Sequence, residues 1–396
     1  MAPQTDTADL TDYGRMSVTI DEIAEVAERA GLRQIHLLAW RDIADPEAGG
    51  SEVHAHEVAS IWASAGIDVT MRTSYAVNRP NNELRNGYRV VRKAGRYMTF
   101  PRTILSEVTG RLGHADGLVE IWNGMPFFSP VWFRGPRATW LHHIHDEMWD
   151  MVLSERLARL GKTVELKIAP HFYRRTQLVT LSESSKETIL NRFNMPGDRV
   201  TVVPPGIDPT FRPDDTKSAH PTLLAVGRLV PPKHFDLVIQ AIQHAQSECP
   251  ELEATIVGDG FERPKIEQAV RDAGLEKSVR IAGRVSPKEL LELYQTSWLN
   301  VSASSHEGWG MTVTEAAACG TPSVVTNISG HRDAIVDGVT GVLVDDVNAL
   351  GMAIAKLVSQ PKLVADLAAS ALAHAAQFSW TQTAYGTLRT LADQCR

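Results

Sequence analysis

Short apolar runs alternate along this chain with longer stretches in which apolar side chains recur every three or four positions. In the first half the runs at 34–40 (QIHLLAW), 68–73, 117–122, 138–142, 178–181 and 200–203 read as buried strands. Helical spacing marks 51–65, 153–176 and 183–193 between them. An earlier helix is expected over 19–30, with Ile20, Ile23, Ala24 and Ala27 on one face, after about fifteen residues that read as a flexible extension. The second half repeats the alternation more cleanly. Strands are expected at 222–226, 254–257, 279–282, 298–302 and 323–326. Helices are expected at 235–247, 263–273 and 312–319, with another opening at a Ser286–Glu289 capping box and three helical stretches ending the chain.

Short strands alternating with helices imply parallel sheets covered on both faces. The segment 207–221, rich in Pro, Asp and Thr, reads as a linker. The expected domains are therefore 1–210, with 1–30 as an N-terminal extension and helix, then 211–377, then a terminal helix over 378–396 that returns to the first domain. Two doubly wound domains bind ligands at the carboxyl ends of their strands.

Composition narrows the class. At 396 residues, 43% apolar and 22% charged, the chain supports two folded domains. A net charge of −7 argues against a protein that coats nucleic acid. Cys249, Cys319 and Cys395 form no CxxC pair, which fits a reduced cytoplasmic protein without a disulfide frame or structural zinc. No apolar run is long enough to cross a bilayer, and no secretory h-region precedes the first helix.

The most informative stretch is 305–321, SHEGWGMTVTEAAACGT. Glu307 and Glu315 can grip hydroxyls. Gly308 and Gly310 flank Trp309 where the backbone turns, and the helix start that follows offers free N–H groups to an anion. Thr312 and Glu315 also have capping-box spacing, so a purely structural role for Glu315 competes. In AVGRLVPPK, Arg228 and Lys233 follow a strand end and could neutralise a diphosphate; the plain alternative is two solvated cations. The loop PEAGGSE places Gly49 and Gly50 before a helix, as a phosphate cradle or a bare turn, without a Walker or dinucleotide pattern. In LHHIHDEMW, His142, His143 and His145 follow a strand end. No HExxH or DxD accompanies them, so a functional imidazole is favoured over a metal centre. The basic segment 85–111 interleaves arginines with Tyr88, Tyr97 and Phe100; it reads as a solvated face or as a contact surface for a phosphate-bearing or membrane-held acceptor.

In order and spacing these motifs, with VPPGID, IVGDG and LSESS, resemble retaining glycosyltransferases of family 4, especially lipid-linked mannosyltransferases. The resemblance runs from about residue 34 to the C-terminal helix. It implies an α/β GT-B fold, two facing Rossmann-like domains with a cleft between them. It implies Arg228 and Lys233 on the donor diphosphate, Glu307 on the transferred sugar and Glu315 on the nucleotide ribose. Backbone near Trp309, Gly310 and Met311 would meet sugar and phosphate, and Gly49 and Gly50 would approach the diphosphate. His143 is the expected catalytic histidine, with His142 an alternative; His142, His145 and Asn123 are expected near the acceptor. Trp309 stands where the family more often has phenylalanine.

The implied reaction needs no cofactor and no metal. Cations stabilise the leaving diphosphate, and the acceptor hydroxyl attacks from the same face with retention. The expected partners are a nucleotide-sugar, GDP-mannose or a UDP-sugar, and a glycan, lipid-linked or small-molecule acceptor. The expected location is the cytoplasm, with contact at the inner membrane face through 85–111. A phosphorylase or nucleotide-sugar hydrolase of the same fold, a metallohydrolase on the histidines, and a non-catalytic sensor are the competing readings.

Overall fold

A computed structural model describes residues 17–146, 148–214 and 216–395. The expected flexible extension lies almost wholly outside them. In chain order the first elements are α1 (Ile20–Ala30), β1 (Gln34–Leu38), α2 (Gly50–Ser64), β2 (Asp68–Thr73), β3 (Asn82–Arg85), β4 (Tyr88–Arg92), α3 (Thr99–Val108), β5 (Gly117–Ile121), α4 (Ser129–Trp132) and β6 (Arg137–Trp140). Then come α5 (Met148–Val152), α6 (Glu155–Thr163), a π-helical turn at Val164–Ile168, α7 (Ala169–Tyr173), β7 (Gln177–Thr180), α8 (Glu183–Phe193) and β8 (Val200–Val202). The second half holds β9 (Thr222–Val226), α9 (Phe235–Glu248), β10 (Glu253–Val257), α10 (Arg263–Asp272), β11 (Val279–Gly283), α11 (Pro287–Thr296), β12 (Leu299–Ser302) and α12 (Met311–Ala318). The chain ends with β13 (Ser323–Thr326), α13 (His331–Ala334), β14 (Gly341–Val344), α14 (Val347–Val358), α15 (Pro361–Ala375) and α16 (Trp380–Ala392).

Two compact units result. The first comprises 1–121, 126–140 and 377–396; the second comprises 122–125 and 141–376, so the expected boundary at 210 falls inside it. In the first unit the strands run β3-β4-β2-β1-β5-β6, parallel except for the β3–β4 hairpin. That hairpin turns at Asn86-Gly87, both at positive φ, and the basic-segment reading overlooked it. α16 packs on α1 and α2, and the buried Trp62 donates its indole N–H to the Ala384 carbonyl at 3.0 Å.

In the second unit six parallel strands run β11-β10-β9-β12-β13-β14. Counted from β9 this is the doubly wound order 3-2-1-4-5-6, whose direction reverses between β9 and β12. Leu223, Leu299, Ile239, Ile354 and their neighbours fill the layer between this sheet and α9, α10 and α14. Each such aliphatic side chain contributes roughly 1.5–3 kcal/mol by leaving water. The single helix expected over 153–176 is instead α6, the π turn and α7. The inserted turn carries Glu165, which is fully buried.

Candidate functional site

The chain leaves β9 and β12 side by side at the reversal point, and two loops start there. The Ser305 N–H donates to the Pro232 carbonyl at 2.9 Å, tying the loop after β12 to the loop after β9. Lys233 Nζ donates to Glu307 Oε1 across the same junction, and Ser304 Oγ donates to that oxygen at 2.9 Å.

Glycines let these segments approach. A Cβ on Gly258 would lie 1.8 Å from the Gly227 carbonyl oxygen, and one on Gly260 would lie 2.2 Å from that of Leu229. The IVGDG motif is therefore the backing of the Gly227–Leu229 segment. Gly308 lies against the strand-end histidines, where a Cβ would come within 2.6 Å of the His142 carbonyl oxygen. Gly330, at φ +87°, would place a Cβ 2.6 Å from the Glu307 carbonyl oxygen.

Burial alone would raise the Glu307 pKa. The charge of Lys233, then His331, then hydrogen bonds from Lys233 and Ser304, overcome it and hold the carboxyl at about 2. Glu307 is thus an anion at neutral pH. His143, His306, Ser185, Thr188 and Ser329 line with it a cavity of about 90 Å³. Burial, aided by the neighbouring His145, depresses His143 to about 3, so its imidazole is neutral. Its ring stacks on His145 at 4.6 Å between centroids. His145 is anchored from behind: its N–H donates to Glu165 Oε1 at 3.0 Å, and the Trp149 indole N–H donates to Oε2 at 2.7 Å. His143 therefore faces the Glu307 cavity, while His145 braces it. His142 is buried, with its backbone against Gly308.

His331 was not anticipated from the sequence. It is 1% exposed, and its Nδ1–H donates to the Thr326 carbonyl at 2.9 Å. Its Cδ2 would lie 3.0 Å from a Cβ on Gly310. A histidine after Ser-Gly carries no local signal; only the fold places it beside Glu307. Ser184 of LSESS is also placed by the fold. Its N–H donates to Asp333 Oδ1 at 3.2 Å, its hydroxyl donates to Asp333 Oδ2, and the Gly330 N–H donates to the same hydroxyl at 3.0 Å.

The capping-box reading of Glu315 is overturned. α12 begins at Met311 with Gly310 as N-cap at φ +97°, which puts Thr312 and Glu315 inside the helix. The Tyr294 hydroxyl instead donates to Glu315 Oε2 at 3.0 Å. Burial pushes this carboxyl up to about 7, against the Tyr294 hydrogen bond, and Asp208 adds to the rise. Trp309 is 4% exposed, and Gly310 and Met311 open α12.

The remaining expected residues are dispersed. Arg228 is exposed just past β9 and does not join the Lys233–Glu307 pair. Asn123 forms an isolated bridge with Met125 and does not line the Glu307 cavity. In the first unit Gly49 caps α2 and Gly50 is its first residue; the Gly49 N–H donates to Glu52 Oε2 at 2.8 Å. Much of the basic segment is paired internally. Arg92 is fully buried on Asp42 and Glu83, Arg85 meets the same two acids, and Arg96 binds Asp45 and Glu47. A uniformly solvated basic face is therefore not what the fold makes of it. Among the described residues no three His, Cys, Asp or Glu side chains converge as a metal site, and no helix is long and apolar enough to cross a membrane.

A doubly wound sheet with this reversal, carrying a lysine–glutamate pair between its central loops, places a ligand site at the carboxyl ends of its strands, and comparison with known proteins gives the class. The chain matches the family profile described as "Glycosyl transferases group 1" over residues 208–373 and that described as "Glycosyltransferase Family 4" over 48–211. It belongs to glycosyltransferase family 4 and is a glycosyltransferase with the GT-B fold, built of two Rossmann-like domains. It is similar to a D-inositol 3-phosphate glycosyltransferase of Thermobispora bispora, 29% identical over 85% of this chain and 88% of the relative. Its fold is similar to sucrose-phosphate synthase from Thermosynechococcus elongatus, with a TM-score of 0.76, 22% identity, and coverage of 89% of this chain and 96% of that one. It is also similar to an Anabaena protein solved in complex with UDP and glucose, with a TM-score of 0.69, 18% identity, and coverage of 91% and 100%.

Proposed function

We propose that this chain is a retaining, metal-independent glycosyltransferase that moves a sugar from a nucleotide diphosphate sugar to a hydroxyl of a phosphorylated cyclitol. The observation that carries this reading is the Lys233–Glu307 pair at the β9/β12 reversal, with His143 lining the same cavity. The acceptor class follows the relative's name, D-inositol 3-phosphate glycosyltransferase.

Each residue then has a physical task. Lys233 supplies a compact cation for the leaving diphosphate, and exposed Arg228 adds a planar fork from the same loop. The first N–H groups of α12, from Gly310 and Met311, lack acceptors within the helix and complete an anion cradle. Glu307, ionised throughout the physiological range, accepts hydrogen bonds from hydroxyls of the transferred sugar. Glu315 takes the ribose hydroxyls. Neutral His143 presents a hydrogen-bonding nitrogen to the reacting sugar. As the sugar–phosphate bond breaks, positive character grows on the sugar, and the departing diphosphate accepts the acceptor's proton on the face of attack. In this reading Glu307 serves the sugar's hydroxyls and not its anomeric carbon, which sets the route apart from the two-carboxylate covalent one.

Both GDP-mannose and UDP-sugars fit this chemistry. The test is calorimetric titration with each in the presence of EDTA, followed by product analysis with D-inositol 3-phosphate. Binding of one nucleotide class and formation of a glycoside that keeps the donor's anomeric configuration are expected. Rapid water-dependent donor breakdown with no glycoside would favour a nucleotide-sugar hydrolase.

A further inference from the structure

Buried hydrogen-bonding groups without partners concentrate at one edge of the first unit. Trp40 Nε1, Arg41 Nε, Arg72 Nε and Nη2, Ser74 Oγ and Thr99 Oγ1 are all buried and unpartnered. They lie where three neighbouring parallel strands end. The Ala39 N–H donates to the Arg72 carbonyl at 2.9 Å, joining the exits of β1 and β2. The Tyr75 N–H donates to the Ala94 carbonyl at 2.7 Å, joining the exits of β2 and β4, and the Thr99 N–H donates to the Gly95 carbonyl at 2.9 Å at the start of α3. Carboxyl ends of such strands are where these sheets take ligands.

Arg72 is the unusual member. It is 1% exposed, and its one recorded hydrogen bond runs from Nη1 to the Val91 carbonyl at 3.1 Å. Its Nε–H and Nη2–H share one edge of the guanidinium and form the parallel fork that fits two oxygens of a phosphate. Glu107, an acid whose charge reaches Arg72, is held by His36 Nδ1 at 3.0 Å from each carboxylate oxygen. Arg41, 8% exposed, lies over the Trp40 ring at 4.2 Å and adds a second cation. Half-buried Trp40 is the most exposed of the group. Buried donors left unpaired destabilise a fold, so this concentration calls for an acceptor-rich ligand.

We propose that this edge is the phosphate subsite of the acceptor: the Arg72 fork grips two oxygens of a phosphomonoester, and Arg41, Ser74 and Thr99 take its third oxygen and adjoining hydroxyls. The assignment rests on the glycosyl-transfer reading above, but its test needs no donor. The full chain, labelled with nitrogen-15, is titrated with inorganic phosphate, with an inositol monophosphate and with unphosphorylated inositol, reading the arginine Nε–H resonances and the dissociation constants. The Arg72 signal is assigned by its disappearance in Arg72→Lys.

The inositol monophosphate is expected to shift the Arg72 signal and to bind more tightly than either inorganic phosphate or inositol. Arg72→Gln should weaken it roughly tenfold or more, and Thr99→Val and Ser74→Ala should each weaken it about threefold, all with nucleotide binding intact. The smaller pair decides the matter if Arg72→Gln does not fold. An unmoved Arg72 signal, unchanged affinity in folded variants, or a preference for inorganic phosphate over the inositol ester would overturn the assignment. Absence of nucleotide-sugar binding would instead overturn the transfer reading, leaving these phosphate titrations readable.

Discussion

Lys233 and Glu307 form an ion pair between the two loops that leave the central strands of the second unit's sheet. The lysine holds the glutamate in its charged form. Lys233→Ala removes the strongest influence keeping Glu307 ionised and leaves a buried carboxylate short of its partner. The variant should lose about 2–4 kcal/mol of stability in urea unfolding and bind nucleotide-sugar at least about tenfold more weakly by calorimetry.

Glu315 predicts a pH dependence. Its folded pKa of about 7 lies above the ordinary value of 4.5, so the protonated form is favoured by folding. Its contribution to stability is fully present below pH 4.5 and is lost as the pH rises through 7. Glu315→Gln should therefore match the parent near pH 4 and exceed it near pH 8 by up to about 3 kcal/mol in chemical unfolding. Because the proposed ribose contact uses the carboxylate, nucleotide affinity of the parent should rise between pH 6 and 8, while that of Glu315→Gln stays flat and low.

Much of the second unit was legible in the chain. Its strands are short continuous apolar runs and its helices follow the 3.6-residue spacing, and β9, α10 and β13 fall within a residue of expectation. The glutamate pair, the lysine loop and IVGDG were recognisable because glycines and charges at loop positions have few packing explanations. His331 and the Ser184–Asp333 contact were not, because each gains its role only from residues more than a hundred positions away or from a turn that folding creates. The capping box failed because Gly310, at positive φ, starts α12 one residue earlier and turns Glu315 toward Tyr294. In the first unit the 85–111 arginines looked unpaired, since their acids Asp42, Asp45 and Glu47 lie forty or more positions upstream of most of them.

Glu165 gives a third prediction. It is fully buried and accepts from the His145 backbone and the Trp149 indole. Glu165→Ala should cost about 2–4 kcal/mol of stability and lower kcat more than it raises KM, because His145 no longer braces His143. Glu165→Gln, which keeps an acceptor oxygen, should recover part of both losses.

Gly330 tests the close packing behind Glu307. An added Cβ meets the Glu307 carbonyl oxygen at 2.6 Å from a backbone already at φ +87°. Gly330→Ala should lose roughly 1–3 kcal/mol of stability and reduce transfer more than nucleotide binding, whereas Gly338→Ala, also at positive φ but with open space, should lose only stability.

In the proposed reaction the Lys233–Glu307 junction binds a nucleotide-sugar without metal and presents the sugar for transfer. Calorimetry of the parent, Lys233→Ala and Glu307→Gln with UDP-sugars and GDP-mannose in EDTA decides whether it does. The expected result is binding of one nucleotide class to the parent, weakened at least about tenfold by Lys233→Ala, with Glu307→Gln weakening the sugar nucleotide more than the bare nucleoside diphosphate. Absence of binding, strict dependence on added metal, or affinities indifferent to both substitutions would contradict it.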